Sequence, residues 1–307
     1  VDHYGEPDTR TFRDVTQVGK DLEALQPIYE TERKARACIL FDTENRWAID
    51  FAQAANNGQM KYFDTVIAHY RALWEQGYAV DFCDMRACTD LSGYDLVSAP
   101  MLFMTRNGIE EKLRAFVERG GMLLTSYWSG IVDEFDLAHL GAVPHGLTDV
   151  LGLRATELDS LWPAQSNAMK TTDGTTYQIT ELCGLVELQG AKVEATYAED
   201  WYAGQPCLTR HTFGKGEAWY LAAKVEQSAL NALYRRLAEK AKLPRAMDVE
   251  LPHGVVAVDR GGVVFLQNYA NAPQDVTLDK CYIDLLTGER LNGTITLPVC
   301  GVKVLKG

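Results

Sequence analysis

Gly120-Gly121-Met122-Leu123-Leu124-Thr125-Ser126-Tyr127-Trp128-Ser129-Gly130-Ile131-Val132-Asp133-Glu134 is the stretch that decides the fold. The paired glycines end a helix, MLLTSY is an unbroken strand-like run, and the residues from Trp128 to Gly130 read as a sharp turn. A strand with little polar alternation is the mark of a parallel sheet covered on both faces. Ligands and nucleophiles in such sheets sit beyond the carboxyl ends of the strands. This turn holds no cysteine and no G-x-S-x-G, so it has the position of an active site without the usual nucleophile.

Outward from that stretch, residues 35–128 repeat a strand–helix rhythm. ARACILF ends at Asp42 and leads into a loop from Thr43 to Asn57, then a helix from about Gln59 to Gln76 closed by Gly77. YAVDFCD and YDLVSAPML read as further strands, and GIEEKLRAFVERGG as an amphipathic helix. The fold class is therefore α/β. Upstream, Phe12, Val15, Val18, Leu22 and Leu25 recur at three- and four-residue steps, one apolar helical stripe that Thr9 or Asp8 can cap. A stripe without a core of its own must dock on something else. Residues 150–222 change to short alternating runs (TTYQIT, GLVELQG, KVEATYA) that predict added strands and hairpins, and Phe213-Gly214-Lys215-Gly216 is a hairpin turn. KVEQSALNALYRRLAEKAKL is a closing helix stopped by Pro244, and everything after about residue 247 reads as strands separated by Gly-containing turns. The expected domains are a linker helix over 1–34, an α/β domain over 35–246 and a small antiparallel β-sandwich-like domain over 247–307.

Charge and composition narrow the function classes. The net charge of −12 disfavours nucleic acid and anionic membrane surfaces, which would be repelled. No apolar run approaches the roughly 20 residues of a membrane helix. Cys38, Cys83, Cys88, Cys183, Cys207, Cys281 and Cys300 are odd in number and mostly set in strand-like surroundings, which predicts reduced, buried thiols and a cytoplasmic protein. Cys83 and Cys88 lack C-x-x-C spacing, so no zinc set is legible, and no cofactor motif is present. The chain starts at Val1 with a polar segment and reads as a piece of something longer, so the lack of a signal peptide there carries no information.

Candidate chemistry is thin. A serine nucleophile needs a histidine and a carboxylate, and Ser129 with His139 or His145 and Asp133 is the local set. Y-W-S-G-I lacks the small residue two before the serine, so the simpler reading is that Ser129 and Gly130 shape the loop while Asp133 or Glu134 starts a helix. Glycoside cleavage needs two carboxylates facing across a sugar ring. Asp42 with Glu44, or Asp133 with Glu134, are adjacent pairs that read better as caps or solvated charges. The tryptophans (Trp47, Trp74, Trp128, Trp162, Trp201 and Trp219) could include a sugar platform, with Trp128, just past a strand end, the first candidate, but such residues more often belong to a core or an interface.

Several blocks nevertheless carry a family resemblance. VDHYGEPDTRTFRDVTQVGKDLEAL resembles the segment leaving the catalytic barrel of glycoside hydrolase family 42 β-galactosidases. ARACILFD with Trp47, YDLVSAPMLFM, GGMLLTSYWSGIVDEFDLAHLGAVP and HTFGKGEAWYLAA resemble that family's trimerisation domain, and LLTGERLNGTITLPVCGVKVL its C-terminal β domain. The resemblance implies a flavodoxin-like three-layer domain similar to class I glutamine amidotransferases, with Tyr127, Trp128 and Ser129 where those enzymes place a cysteine. It implies a non-catalytic scaffold that associates as a homotrimer, in a parent enzyme that hydrolyses terminal β-D-galactosides. The family's catalytic glutamates and its cysteine zinc cluster lie on the preceding barrel, and no residue here matches them. The galactoside is then met only through the parent's barrel, with Trp47, Trp128, Ser129, Asp133 and Glu134 as the loop residues nearest a neighbour's pocket. The alternatives are an independent hydrolase or amidotransferase-like enzyme, or a carbohydrate-binding module.

Overall fold

The computed structural model describes residues 5, 7–52, 61–87 and 90–307. The chain forms two compact units, one from Ala35–Leu73 and Val80–Leu243, the other from Val1–Lys34, Trp74–Ala79 and Pro244–Gly307. Helix α1 (Arg10–Ala24) belongs to the second. Its cap is the expected one, since Thr9 Oγ1 accepts the Phe12 N–H at 3.1 Å. No residue of α1 is buried, and Val15, Val18 and Leu22 are 64%, 55% and 49% exposed. The predicted stripe therefore exists and faces solvent.

The larger unit runs β1 (Ala37–Leu40), α2 (Thr43–Phe51), α3 (Tyr62–Trp74), β2 (Val80–Cys83), β3 (Leu96–Ala99), α4 (Ile109–Glu118) and β4 (Met122–Ser126). It continues with α5 (Thr148–Leu151), β5 (Leu153–Ser160), β6 (Asn167–Thr171), β7 (Thr176–Leu188), β8 (Lys192–Tyr197), β9 (Pro206–Phe213), β10 (Gly216–Leu221), β11 (Ala223–Val225) and α6 (Gln227–Lys240). One 11-stranded sheet results, ordered β11-β7-β6-β8-β9-β10-β4-β3-β1-β2, with β5 paired to β7. β2, β1, β3, β4 and β10 are mutually parallel, and from the β10–β9 hairpin onward the pairing is antiparallel. The hairpin-rich segment thus extends the parallel sheet. β10 joins the two halves because its apolar side chains from Ala218 to Leu221 are buried where it pairs with β4 and β9.

Alternation along β3 shows how the sheet is covered. Val97 and Ala99 join a core with Ile109, Leu113, Phe116 and Val117 of α4 and Val150 and Leu151 of α5. Ser98, pointing the other way, meets Tyr234 of α6 and His69 of α3. The Tyr234 hydroxyl lies 2.6 Å from His69 Nδ1 and 2.5 Å from Ser98 Oγ, a buried polar rivet between two helices and the sheet. Burial pushes His69 down to about 3, so its ring is neutral.

The smaller unit adds β12 (Val255–Arg260), β13 (Val263–Asn268), β14 (Gln274–Thr277), β15 (Tyr282–Asp284), β16 (Arg290–Leu291), β17 (Thr294–Leu297) and β18 (Val302–Lys306). All its pairings are antiparallel, in a five-stranded sheet β12-β13-β18-β15-β16 and a β14–β17 pair. Val255, Ala257, Leu266, Val276, Leu297 and Leu305 share its core. Leu25 and Ile28, just after α1, pack with Val263 and Val304.

Three expectations are corrected. Residues 43–51, read as loop, form α2, because Asp42 caps them and Asn45, Ala48 and Ile49 present a buried face. Residues 53–60 lie outside the described residues, so the part of that loop from 53 to 57 and the expected helix start at Gln59 are not placed. No helix starts at Asp133 or Glu134; the Asp133 carboxylate instead accepts the N–H groups of Phe135 and Leu137 at 2.9 and 3.0 Å, closing a turn. Of the cysteines, Cys38, Cys183 and Cys207 are buried, but Cys281 and Cys300 are exposed; Cys88 lies outside the described residues.

Candidate functional site

The carboxyl ends of β1, β3 and β4 meet in a polar network that begins at Asp42. Its carboxylate caps α2, accepting from the N–H groups of Glu44 (2.9 Å) and Asn45 (3.0 Å). Arg106, 64 residues later and 7% exposed, donates to Asp42 Oδ2 at 2.8 Å and also pairs with Glu44. The two carboxylates weighed as a catalytic pair are therefore both held by one guanidinium. Asn45 completes the lock, donating to the Met101 carbonyl at 3.0 Å and accepting the Met104 N–H at 2.7 Å. Both carboxylates and the Asn45 amide are engaged by backbone groups or by the Arg106 guanidinium, whose Nε alone is buried without a partner among the described residues; this suits fixing loops rather than proton transfer.

The turn after β4 is strained and closed. Trp128 takes φ +58, a left-handed conformation that costs a bulky residue about 1–3 kcal/mol. It is held by the Phe103 ring at 4.8 Å and is 5% exposed. Trp128 is thus packed as a core residue, the commoner of the two roles weighed for it, and is not a sugar platform. Gly130 at φ +62 is obligatory, since a Cβ there would sit 2.5 Å from the His145 backbone nitrogen.

Ser129 is 1% exposed, and its hydroxyl is fully used. It donates to the Ser126 carbonyl at 2.7 Å, accepts the Leu102 N–H at 3.1 Å and lies 3.0 Å from Thr125 Oγ1. No histidine is among those partners: the His139 ring contacts Thr105 Oγ1 at 2.9 Å, and His145 stacks on His139. Nucleophile and base are not brought together. Asp133 is spent on its turn, while Glu134 is exposed. A cleft of about 300 Å³ borders the turn, lined by Trp128, Ser129, Ile131, Thr156, Glu157 and Tyr220 among others. Glu157 is the one carboxylate in its wall, so a facing pair for glycoside chemistry is absent from it.

Trp47, on α2, is 57% exposed, with Phe51 at 78%. On the loop after β4, Phe135, Leu137 and Leu140 are 75%, 64% and 94% exposed. Trp47 was named from the sequence, but Arg106, Phe51, Phe135, Leu137 and Leu140 were not; a run of Phe, Leu and Leu at 135, 137 and 140 was the available signal.

The larger unit is thus an α/β unit whose turn after β4 is closed by its own hydrogen bonds, accompanied by a small antiparallel unit. Residues 35–244 match the β-galactosidase trimerisation domain, and residues 254–307 the β-galactosidase C-terminal domain. The chain is 43% identical to β-galactosidase BglY of Alicyclobacillus acidocaldarius, over 100% of its own length and 46% of that protein. Its fold matches the crystal structure of the β-galactosidase from Rahnella sp. R3 with a TM-score of 0.93 at 42% identity, covering 99% of this chain and 45% of that one. A catalytic mutant of Gan42B, a GH42 β-galactosidase from G. stearothermophilus, matches with a TM-score of 0.94 at 35% identity over 99% of this chain and 45% of that one. The chain belongs to the glycoside hydrolase family 42 β-galactosidases, of which it carries the trimerisation and C-terminal domains. It spans about half the length of the relatives it matches. Among the described residues, no helix is long and apolar enough to cross a membrane.

Proposed function

We propose that this chain is the assembly region of a cytoplasmic β-galactosidase whose barrel, outside these residues, hydrolyses terminal β-D-galactosides. Three copies associate around a three-fold axis and hold three barrels in fixed relation. A closed ring of this kind needs two different complementary patches on each copy. The observation that carries the reading is the set of large apolar side chains left in solvent where the chain leaves β1 and β4: Trp47, Phe51, Phe135, Leu137 and Leu140. Large apolar side chains left exposed beyond the carboxyl ends of strands, on α2 and on the loop after β4, are what association buries. On this reading Trp47 of α2 and Glu134 of the loop after β4, both facing solvent, reach a neighbouring barrel, while Trp128, Ser129 and Asp133 shape the turn that precedes Glu134. The galactoside is then met only through the barrel, and a net charge of −12 keeps nucleic acid and anionic membranes away.

A chromogenic β-galactoside and a fluorophosphonate serine probe test the non-catalytic half of this reading. No turnover and no label on Ser129 are expected from the chain alone. Turnover abolished by Ser129→Ala would overturn it in favour of an independent hydrolase. Trp162 and Trp201, each 71% exposed, favour a sugar-binding module as the second reading. Saturable quenching of tryptophan fluorescence by galactose, lost on replacing either residue, would establish that instead.

A further inference from the structure

Three potential metal ligands meet beside the turn after β4. Glu110 comes from the first turn of α4, and His139 and His145 from the segment that follows the turn. One ligand atom of each lies within 4.8 Å of the other two. The backbone fixes this meeting. His139 N–H donates to the Ile131 carbonyl at 2.9 Å and His145 N–H to the neighbouring Gly130 carbonyl at 3.1 Å, so the two rings stack 3.9 Å apart, 7° from parallel. Glu110 is pressed from the other side by Gly146, at φ +70, where a Cβ would lie 2.8 Å from Glu110 Cγ. Arg114 of the same helix holds that glycine by donating to its carbonyl at 2.9 Å.

Two features ask for an occupant. His145 Nδ1 is buried and has no hydrogen-bond partner among the described residues. It stands 3.8 Å from Glu110 Oε1, beyond hydrogen-bond range. A buried polar atom left orphaned in a native fold calls for an explanation, and an ion is a common one. His139 meanwhile has Thr105 Oγ1 at 2.9 Å, the kind of outer partner that orients a metal-bound imidazole.

We propose that Glu110, His139 and His145 form a binding site for a divalent transition ion of the zinc class, which pins the loop after β4 to α4. Two imidazoles and one carboxylate suit zinc, cobalt or nickel; calcium and magnesium call for more oxygen ligands. Bonds of about 2.0–2.1 Å in a tetrahedral set put ligand atoms about 3.3 Å apart, so the three atoms, now within 4.8 Å of one another, must close in, and one of the two stacked rings must turn to aim its lone pair at the ion. The His145 side chain is 42% exposed and has room to turn. Three protein ligands leave a fourth position for water. The ion fixes the same loop that exposes Phe135, Leu137 and Leu140, and the site itself does not depend on how copies associate.

The test is zinc titration of the EDTA-treated, fully reduced chain by calorimetry, followed by zinc-edge X-ray absorption. A single strong equivalent is expected, with an N/O shell near 2.0–2.1 Å. Glu110→Gln and His145→Asn should each weaken binding by about tenfold or more while leaving the circular dichroism unchanged. A sulfur shell near 2.3 Å would assign the zinc to cysteines and overturn the proposal. So would an unchanged affinity in both folded variants, or no binding up to on the order of 1 mM. Because the absorption spectrum is taken on the unaltered chain, it decides the matter even if a variant fails to fold.

Discussion

Replacing Arg106 by methionine should be among the most damaging single changes available in the larger unit. The guanidinium is 7% exposed and bonds both Asp42, whose side chain is 2% exposed, and Glu44 at 37%. Removing one partner of a buried ion pair costs about 3–5 kcal/mol, because the other charge stays buried without compensation. Asp42 keeps two backbone N–H donors at the start of α2, which soften the loss toward the lower end, about 3 kcal/mol. For a unit of about 200 residues that is a fall of roughly 6–12 °C in Tm. The assay is thermal or urea unfolding at one fixed protein concentration, since self-association makes midpoints concentration-dependent. The double variant Arg106→Met with Asp42→Asn should recover part of the loss, because the stranded charge is gone. A single-variant loss under about 1 kcal/mol, or a double variant no better than the single, would refute the claim that this pair locks α2 to the loop after β3.

Other expectations follow from the buried groups. His69 is held near 3, against an ordinary value of 6.5, so above pH 6.5 both folded and unfolded chains carry a neutral ring. Below that, the unfolded chain takes up a proton the folded one refuses, and stability falls with pH until about 3. The loss from this group is about 2 kcal/mol by pH 5, and the difference in unfolding free energy between pH 7 and 5 should shrink by that amount in His69→Gln. Burial raises the Cys183 thiol to about 11 and Cys207 higher still, whereas Cys281 and Cys300 are exposed. A thiol reagent should therefore modify Cys281 and Cys300 promptly, and Cys183 and Cys207 only on unfolding, as read by peptide mass mapping. Prompt labelling of Cys207 in the native chain would contradict the packing described.

Much of this fold is written locally. The buried runs ACIL, LVSA and MLLTS need both faces covered, and the Gly-containing turns mark where strands end, so the α/β order and the antiparallel tail can be read directly. α2 is harder to see because a polar residue, Asn45, occupies the core position beside Ala48 and Ile49, which hides the helical period. The Asp42–Glu44–Asn45 cap was the signal that remained. The network around Arg106 and the Glu110–His139–His145 cluster join residues tens of positions apart, and spacing along a chain carries no information about such meetings. That Ser129 and Gly130 shape the loop was legible, since Y-W-S-G-I lacks an elbow's small residue. That Trp128 would be packed against Phe103 was not, because a side chain just past a strand end can face either way.

The central claim is assembly, and sedimentation equilibrium of this chain over a range of concentrations tests it most directly. The account predicts a mass three times 34.2 kDa, lowered when Phe135, Leu137 and Leu140 are replaced together by serine. A mass of 34.2 kDa at every concentration would contradict it.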